Sequence, residues 1–252
     1  MVPDACHATT VRCIYQIILS SMEGIIVCGG LSTRLGDITK DIPKILLDIG
    51  GKTVLDWQLT KLQEVGVNHV VLAAGHLNGV LQRQIGNTRF GLDLTYAVED
   101  KKLGTGGAIK YAWSFLREKN APVFVLNGDI LTTIQFKDMM KYLPSESDGI
   151  ILAAYVDDVA SYGTVLYDKD YHVEAFKEKE GVHKPGYQNG GVYLFTPEIQ
   201  RYFPASDTFS VEYDVFPKVE QLYVYESDKP WIDVGLPERL AWARENWRTF
   251  SV

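Results

Sequence analysis

The chain has 252 residues, 46 % of them apolar and 23 % charged, which is ordinary globular usage and enough length to bury a core without disulfides or a structural metal. Its 25 basic against 32 acidic side chains give a net charge of −7, so a nucleic-acid backbone gains it nothing, although a small phosphate ligand needs only a few local cations. Three cysteines (Cys6, Cys13 and Cys28) without C-x-x-C spacing, and an early apolar stretch at Cys13–Leu19 too short for a bilayer, argue against a disulfide framework, a zinc ribbon or a membrane anchor and point to a reduced, cytoplasmic compartment.

Residues 1–21 differ in character from the rest and read as a poorly ordered extension, with Met22 as a natural start. From there, a buried strand at Gly24–Cys28 runs into glycines. Val54, Leu55, Leu59, Leu62 and Val65 recur at helical spacing over Thr53–Val65. A buried strand at His69–Ala74, a helix at Leu77–Ile85, a strand at Leu92–Val98 and a glycine-opened helix at Gly106–Arg117 follow. Then come a strand at Val123–Leu126, a helix at Phe136–Leu143 and a strand at Gly149–Val156. This alternation predicts an α/β fold with a Rossmann-like mixed, mostly parallel sheet and helices on both faces. Beyond it, Tyr162–Tyr167, His172–Phe176 and Gly191–Phe195 look antiparallel, followed by a helix near Val211–Val219, a strand at Leu222–Tyr225 and a closing helix at Pro237–Trp247. No repeat or flexible linker divides residues 22–252, which read as one domain with halves at about 22–130 and 131–252 sharing one sheet.

The first loop, Cys28-Gly29-Gly30-Leu31-Ser32-Thr33-Arg34-Leu35, has the composition of a phosphate cradle. Glycines admit backbone amides to a ligand, and Arg34 adds a planar, permanently charged fork. Pro43-Lys44 supplies a second cation. The loop lacks the last glycine of a dinucleotide G-x-G-x-x-G, and Gly51-Lys52 lacks the first glycine of a Walker loop.

Gly29-Gly30-Leu31-Ser32-Thr33-Arg34-Leu35 followed by Pro43-Lys44 resembles the signature G-G-x-G-T-R-L…P-K of the sugar-1-phosphate nucleotidylyltransferases. The likeness runs from about Gly24 to Trp247. Ser32 departs from the signature where glycine is usual, which predicts a slightly different backbone path. The resemblance implies the nucleotide-diphospho-sugar transferase fold, with a nucleotide-binding half followed by a sugar-binding half.

Further motifs follow in the family's order. Gly104, Gly106 and Gly107 in Glu99-Asp-Lys-Lys-Leu-Gly-Thr-Gly-Gly-Ala108 place flexible backbone before a helix, where it can approach something flat or anionic; Thr105 is alternatively a simple helix cap. The resemblance implies that Gly104 and Thr105 pack on the nucleoside, with Glu99 near the base edge. A carboxylate there accepts two donors from guanine but one from uracil or thymine, which favours GTP; a ribose hydroxyl and solvent are the alternative partners for Glu99. Asp129 in Asn127-Gly-Asp and Asp233 in Trp231-Ile-Asp-Val-Gly235 each end a short apolar strand. Strand carboxyl ends are where open parallel sheets bind ligands, although each aspartate alone reads equally as a cap or turn residue. The resemblance gives both to Mg²⁺.

In the second half, Tyr162-Gly163, Phe176-Lys-Glu178-Lys179 and Asn189-Gly190-Gly191 resemble the sugar-binding segments. Glu178, Asn189, Gly190, Tyr162 and Gly163 are implied to meet the sugar and Lys179 its phosphate. A proline usual after that lysine is Glu180 here, and the run Lys177–Glu180 alone reads as a solvated charge run. Glu212 and Asp214 read as helix-start acids or as supporting groups.

The implied reaction joins a nucleoside triphosphate to a sugar 1-phosphate with release of pyrophosphate. Arg34, Lys44 and Asp129 carry it, with Mg²⁺ as cofactor. Strings such as Lys40-Asp-Ile-Pro-Lys44 and Ile232-Asp-Val-Gly-Leu-Pro-Glu238 most resemble the D-glycero-α-D-manno-heptose 1-phosphate and mannose-1-phosphate guanylyltransferases. That implies GTP and a manno-configured sugar. A uridylyl- or thymidylyltransferase acting on another hexose 1-phosphate and a non-catalytic nucleotide-sugar-binding regulator are the alternatives. Small molecules are the expected partners, without nucleic acid or membrane; a homo-oligomer is compatible with the sequence.

Overall fold

The computed structural model describes residues 22–160, 162–177, 181 and 183–251. The expectations for residues 1–21 and for Glu178 and Lys179 lie outside the described residues. In chain order the strands and helices are β1 (Glu23–Val27), β2 (Asp48–Ile49), β3 (Lys52–Thr53), α1 (Val54–Glu64), β4 (His69–Ala74), α2 (Asn78–Ile85), β5 (Thr88–Arg89), β6 (Leu92–Val98), α3 (Gly104–Trp113), β7 (Val123–Asn127), β8 (Ile130–Thr132), α4 (Phe136–Lys141), β9 (Gly149–Val156), β10 (Thr164–Tyr167), β11 (Val173–Lys177), β12 (Gly186–Phe195), β13 (Leu222–Ser227), β14 (Trp231–Asp233) and α5 (Pro237–Glu245).

One ten-stranded sheet draws on both halves of the sequence. Its main path runs β11-β10-β12-β7-β1-β4-β6-β5, with β9 paired to β12 and β13. β7, β1, β4 and β6 are parallel neighbours. The turn to antiparallel pairing comes at β12, which opposes β7, β9 and β10. Side chains alternate across the sheet: Ile26, Leu72 and Leu126 pack with α1, α2 and α4, while Ile25, Val71 and Val125 pack with α3. Both faces are therefore covered by helices, as the near-continuous apolar strands require.

α1 starts where a capping box closes it: Thr53 accepts from the Asp56 amide at 3.1 Å, and Asp56 accepts from the Thr53 amide at 3.0 Å. The long helix expected over Val211–Val219 is instead a five-residue π turn, Val211–Val215, followed by a 3-10 turn at Phe216–Lys218. Pro217 cannot donate an amide to a continuing helix. α3 begins two residues before its expected start and ends at Trp113. Among the described residues no helix is long and apolar enough to cross a membrane.

A third, smaller core positions the charged residues. Leu35, Leu47, Ile49, Leu131, Val234 and Leu240 pack together with Phe250. They join the entry loop, the β8–β14 ribbon and α5. Arg34, Asp233 and Arg239 each sit one residue from a member of this cluster, so apolar packing fixes their backbones.

Candidate active site

Parallel strands deliver the loops to one place. The segments after β1, β4, β6 and β7 carry Gly29, Gly75, Glu99 and Asp129, respectively, at the carboxyl ends of adjacent parallel strands. Among the cavities that open there, two collect the residues singled out from the sequence. One, of about 340 Å³, is lined by Gly29, Gly30, Gly75, Glu99, Gly104 and Thr105, among others. The other, of about 420 Å³, is lined by Arg34, Asp129, Tyr162, Gln188, Asp233 and Arg239, among others. Thr105 on the first and Glu212 on the second are joined by a hydrogen bond in which the threonine hydroxyl donates at 2.6 Å.

The first cavity is shaped by backbone. A Cβ on Gly29 would lie 2.6 Å from Glu99 Oε1 and 3.1 Å from the Gly75 amide nitrogen, so only glycine lets these loops meet around the carboxylate. Glu99 accepts from the Leu103 amide at 3.3 Å. Burial pushes its carboxyl above the usual range, against the pull of that amide and of Lys102. The entry loop keeps a left-handed residue at Ser32, with φ 52° and ψ 31°. The serine therefore does not divert the backbone out of the region glycine favours; it occupies that region itself, at a steric cost. Its carbonyl accepts from the Leu35 amide at 3.0 Å and from the Thr39 hydroxyl at 3.2 Å, which closes the loop. Thr33 is exposed in the turn that follows.

The second glycine loop has a reason of its own. Gly104 has φ +75°, and a Cβ there would lie 2.5 Å from the Phe209 carbonyl oxygen. The amides of Gly106 and Gly107 donate to that same carbonyl. The flat group these glycines admit is thus in part the chain's own Phe209 segment. Thr105 does not cap α3: its hydroxyl donates to Glu212 and accepts from the Val211 amide at 3.1 Å.

The second cavity is shaped by charge. Lys44 forms an ion pair with Asp129, and Arg239 with Asp233. The four side chains are between 14 % and 21 % exposed, buried enough to matter yet open on one side. Asp233 pairs with Ile130 across the antiparallel β8–β14 ribbon, which sets the two aspartates side by side. A Cβ on Gly235 would lie 3.0 Å from Asp233 Oδ1, 3.3 Å from Arg34 Nη2 and 3.5 Å from Asp129 Oδ2. Three charged groups from distant parts of the sequence converge on the space that this glycine leaves open. Burial first, and then the Asp129 charge, push the Asp233 carboxyl above the usual aspartate range. Arg239, the Gly235 amide and Lys44 pull the other way without winning.

The turn that carries Asp129 is held from behind. Gln58 of α1, only 3 % exposed, donates to the carbonyls of Asn127 at 2.7 Å and Ile130 at 3.0 Å. Gly128 donates to Val27 at 2.9 Å, and a Cβ on it would lie 2.8 Å from that carbonyl oxygen. On the far wall, Tyr162 meets Trp231 edge-on at 5.8 Å and lies under the Arg239 guanidinium at 4.3 Å. Burial, with the Asp233 charge, pushes the Tyr162 hydroxyl up to about 12. Gly163 accepts from the Asn189 amide at 3.3 Å. Asn189 Oδ1 accepts from the Gly191 amide at 3.1 Å, and its Nδ2 donates to Tyr193 at 3.0 Å. Gly190 is buried, its carbonyl accepting from Trp231 Nε1 at 2.8 Å, and it is Gly191 that lines the cavity.

The expected residues Arg34, Lys44, Asp129 and Asp233 are thus brought together, with Tyr162, Gly163 and Asn189 on the same cavity as Asp129 and Asp233. Gly29, Gly30, Glu99, Gly104 and Thr105 gather on the other. Sequence reasoning missed Arg239, Gln58 and the placement of Glu212 on a cavity wall. Gln58 had a legible signal: a polar residue three after Leu55 and four before Leu62, on an otherwise apolar stripe.

Comparison with known proteins shows which family the chain resembles over most of its length. Residues 23–248 match the family model described as Nucleotidyl transferase. The chain is 34 % identical over 221 residues to the D-glycero-alpha-D-manno-heptose 1-phosphate guanylyltransferase of Aneurinibacillus thermoaerophilus, covering 86 % of this chain and 94 % of that one. It is 33 % identical over 224 residues to the mannose-1-phosphate guanylyltransferase catalytic subunit beta of Danio rerio, and there it spans 62 % of the relative's length. The solved structure of HddC from Yersinia pseudotuberculosis in complex with GMP-PN superposes with a TM-score of 0.78 at 32 % identity, covering 89 % of this chain and 99 % of that one.

Proposed function

This chain belongs to the nucleotidyl transferase family, and we propose that it joins GTP to a manno-configured sugar 1-phosphate, a heptose or mannose, to give the nucleotide sugar and pyrophosphate. The observation that carries the reading is the convergence of Asp129, Asp233 and Arg34 around Gly235, with Lys44 and Arg239 paired to the two aspartates. The guanylyltransferase names of two relatives support the choice of base and sugar.

In this reaction an oxygen of the sugar phosphate attacks the α-phosphorus. The bond from that phosphorus to the bridging oxygen breaks, and pyrophosphate leaves with the electron pair. A phosphate monoester has its second pKa near 6, so the nucleophile is already mostly dianionic at neutral pH and no general base is required. What must be overcome is repulsion between two anions. The work left to the protein is to position them and to neutralise their charge. Arg34 and Lys44 hold the triphosphate, and Lys44 exchanges Asp129 for phosphate oxygens as it does so. Arg239 keeps Asp233 in place while packing on Tyr162, which walls the sugar side. Glu99 accepts the two donors of the guanine edge. Glu178 and Lys179 keep the sugar and phosphate roles that the sequence implies.

The donor set suits a hard divalent cation. Two carboxylates face one open space, and Asp233 is held above its usual range chiefly by burial and by Asp129, a repulsion that a cation would relieve. Mg²⁺ is ordinarily bound by one or two carboxylates together with substrate phosphates, so Asp129 and Asp233 would hold it. When bound, it supplies charge neutralisation and polarisation of phosphate oxygens. Three cysteines without C-x-x-C spacing support a reducing, cytoplasmic compartment for the enzyme.

A pyrophosphate-release assay with GTP, UTP, dTTP and CTP against mannose, heptose and glucose 1-phosphates tests the proposal. Highest turnover with GTP and a manno-configured sugar is expected. No release with any pair would overturn the reading, and preference for UTP or dTTP would overturn the choice of base.

A further inference from the structure

Arg239 lines the charged cavity, and two contacts fix where its guanidinium lies. Nη1 donates to Asp233 Oδ2, and Cζ stands 4.3 Å from the centre of the Tyr162 ring. Asp233 and Tyr162 both line the same cavity, so the charged end of Arg239, and not only its stem, belongs to the wall. The support is firm on each side. Leu240, the next residue of α5, packs in the third core, and Tyr162 rests edge-on against Trp231.

A guanidinium carries five N–H donors in a planar fork, and Arg239 gives the protein only those of Nη1. Arg89 shows the alternative within the same molecule. It holds both oxygens of Asp56 along one edge, through Nε at 2.8 Å and Nη2 at 3.0 Å. An arginine serving only its carboxylate would present that two-donor edge to it, as Arg89 does. Among the described residues, nothing accepts from Nε or Nη2 of Arg239. Neither atom is among the buried polar atoms without a partner, so both are accessible. Two parallel donors on an arginine stacked over an aromatic ring match two oxygens of a phosphate. Of the other cations, Lys44 lies on Asp129 and Arg34 comes from the entry loop, on the triphosphate side. Arg239 stands against Tyr162, on the sugar side.

We propose that Arg239 binds the phosphate of the sugar 1-phosphate through Nε and Nη2 while Nη1 keeps its hold on Asp233. This rests on the sugar 1-phosphate reading above and adds to it a named contact. One rigid group then touches a carboxylate and the attacking phosphate at once, so it sets the distance between them. A lysine in its place could neutralise Asp233, but its compact ammonium lacks the fixed fork that orients a second anion.

The test uses the full chain with Arg239→Met and Arg239→Lys. Titration calorimetry measures the binding of mannose 1-phosphate and of GTP, each alone, and pyrophosphate release gives kcat and both KM values. For Arg239→Met, Kd and KM for mannose 1-phosphate are expected to rise about 10–100-fold, while those for GTP stay within about twofold. Arg239→Lys keeps a charge beside Asp233, so its kcat is expected within about threefold of the parent, with KM for mannose 1-phosphate still raised about fivefold or more. A residue that only braces Asp233 would behave otherwise. If Arg239→Met lowers kcat and leaves the affinity for mannose 1-phosphate unchanged, or if it melts lower and worsens both substrates together, the inference is overturned. If Arg239→Met does not fold, the affinities are read on Arg239→Lys, and failure of both variants to fold also overturns it. An unmodified protein that releases no pyrophosphate with any substrate pair removes the proposed function and this inference together. An active one with unaltered variants removes only the inference.

Discussion

The two cavities lie at the ends of neighbouring strands, yet they are built by opposite means. The first is a surface of backbone, its shape set by what cannot fit: side chains are excluded at Gly29 and Gly104 by Glu99 and Phe209. The second is a knot of charge, in which Asp129 and Asp233 each already hold a cation. In the proposed reaction a ligand enters the first without breaking an ion pair, whereas in the second Lys44 changes partners. The hydrogen bond between Thr105 and Glu212 ties the two together. On the proposed function, shape selects at one end and charge exchange drives the chemistry at the other, so substitutions at the two ends should fail differently.

The largest effect is expected at the carboxylates. Asp129→Asn and Asp233→Asn should each lower turnover by about 10³-fold or more, measured as pyrophosphate release, with circular dichroism unchanged. The Asp233 carboxyl is raised chiefly by burial and then by Asp129, so folding penalises its charged form relative to the unfolded chain. The stability it contributes is present in acid, below the ordinary aspartate value, and is lost as pH rises through the folded value. Asp233→Asn should therefore melt above the parent at pH 7, with the gap closing as the solution is acidified. Equal turnover in a folded Asp129→Asn protein would remove that carboxylate from the reaction.

How much of this was legible follows from the same division. The backbone cavity announces itself, because Gly29, Gly30, Gly104 and Gly106 are costly residues that a sequence retains for a reason. Asp129 and Asp233 were also legible, each ending a short apolar strand with glycine nearby. Their counter-charges were less so. Lys44 follows a proline in a recognisable pair, but Arg239 is one arginine on a helix of ordinary composition, and only the docking of α5 on Leu131 and Val234 brings it to Asp233. The π turn at Val211–Val215 looked like an ordinary helix because its apolar spacing fits one, and Pro217 marked the break too late to reveal the turn that places Glu212.

A smaller effect should come from Gly235→Ala, which tests the charge knot without removing a charge. The added methyl would stand 3.0 Å from Asp233 Oδ1 and 3.3 Å from Arg34 Nη2, and the glycine needs no left-handed backbone. Displacing these groups by part of an ångström should cost roughly 10–100-fold in kcat/KM with little change in melting temperature. Unaltered kinetics would mean that the convergence point is not used.

On the backbone side the expected losses are smaller still and concern choice rather than rate. Glu99→Gln keeps the shape between Gly29 and Gly75 but swaps one acceptor for a donor. The preference for GTP over UTP should fall about tenfold, because the guanine edge loses one of two matched acceptors. Since burial holds the Glu99 carboxyl above its usual range, the variant should be at least as stable at pH 7, with the difference vanishing in acid. If all four triphosphates change alike, Glu99 braces the loops and does not read the base.

The mildest substitution, Ser32→Gly, asks whether strain in the entry loop serves the nucleotide. Ser32 holds φ at 52°, a conformation that costs an L side chain about 1–2 kcal/mol, and the closure around it is made by its backbone carbonyl rather than its hydroxyl. Glycine should keep that closure and relieve the steric cost. Part of the relief is returned as extra freedom of the unfolded chain, so a rise of about 2–4 °C in melting temperature is expected, with KM for the triphosphate moving less than about threefold. A lower melting temperature would mean that the serine side chain contributes a stabilising contact larger than its strain. A strong rise in KM at unchanged stability would mean that its hydroxyl, and not the backbone alone, meets the phosphates. The backbone account of the first cavity would then have to admit a side chain, and the contrast with the charged end would narrow.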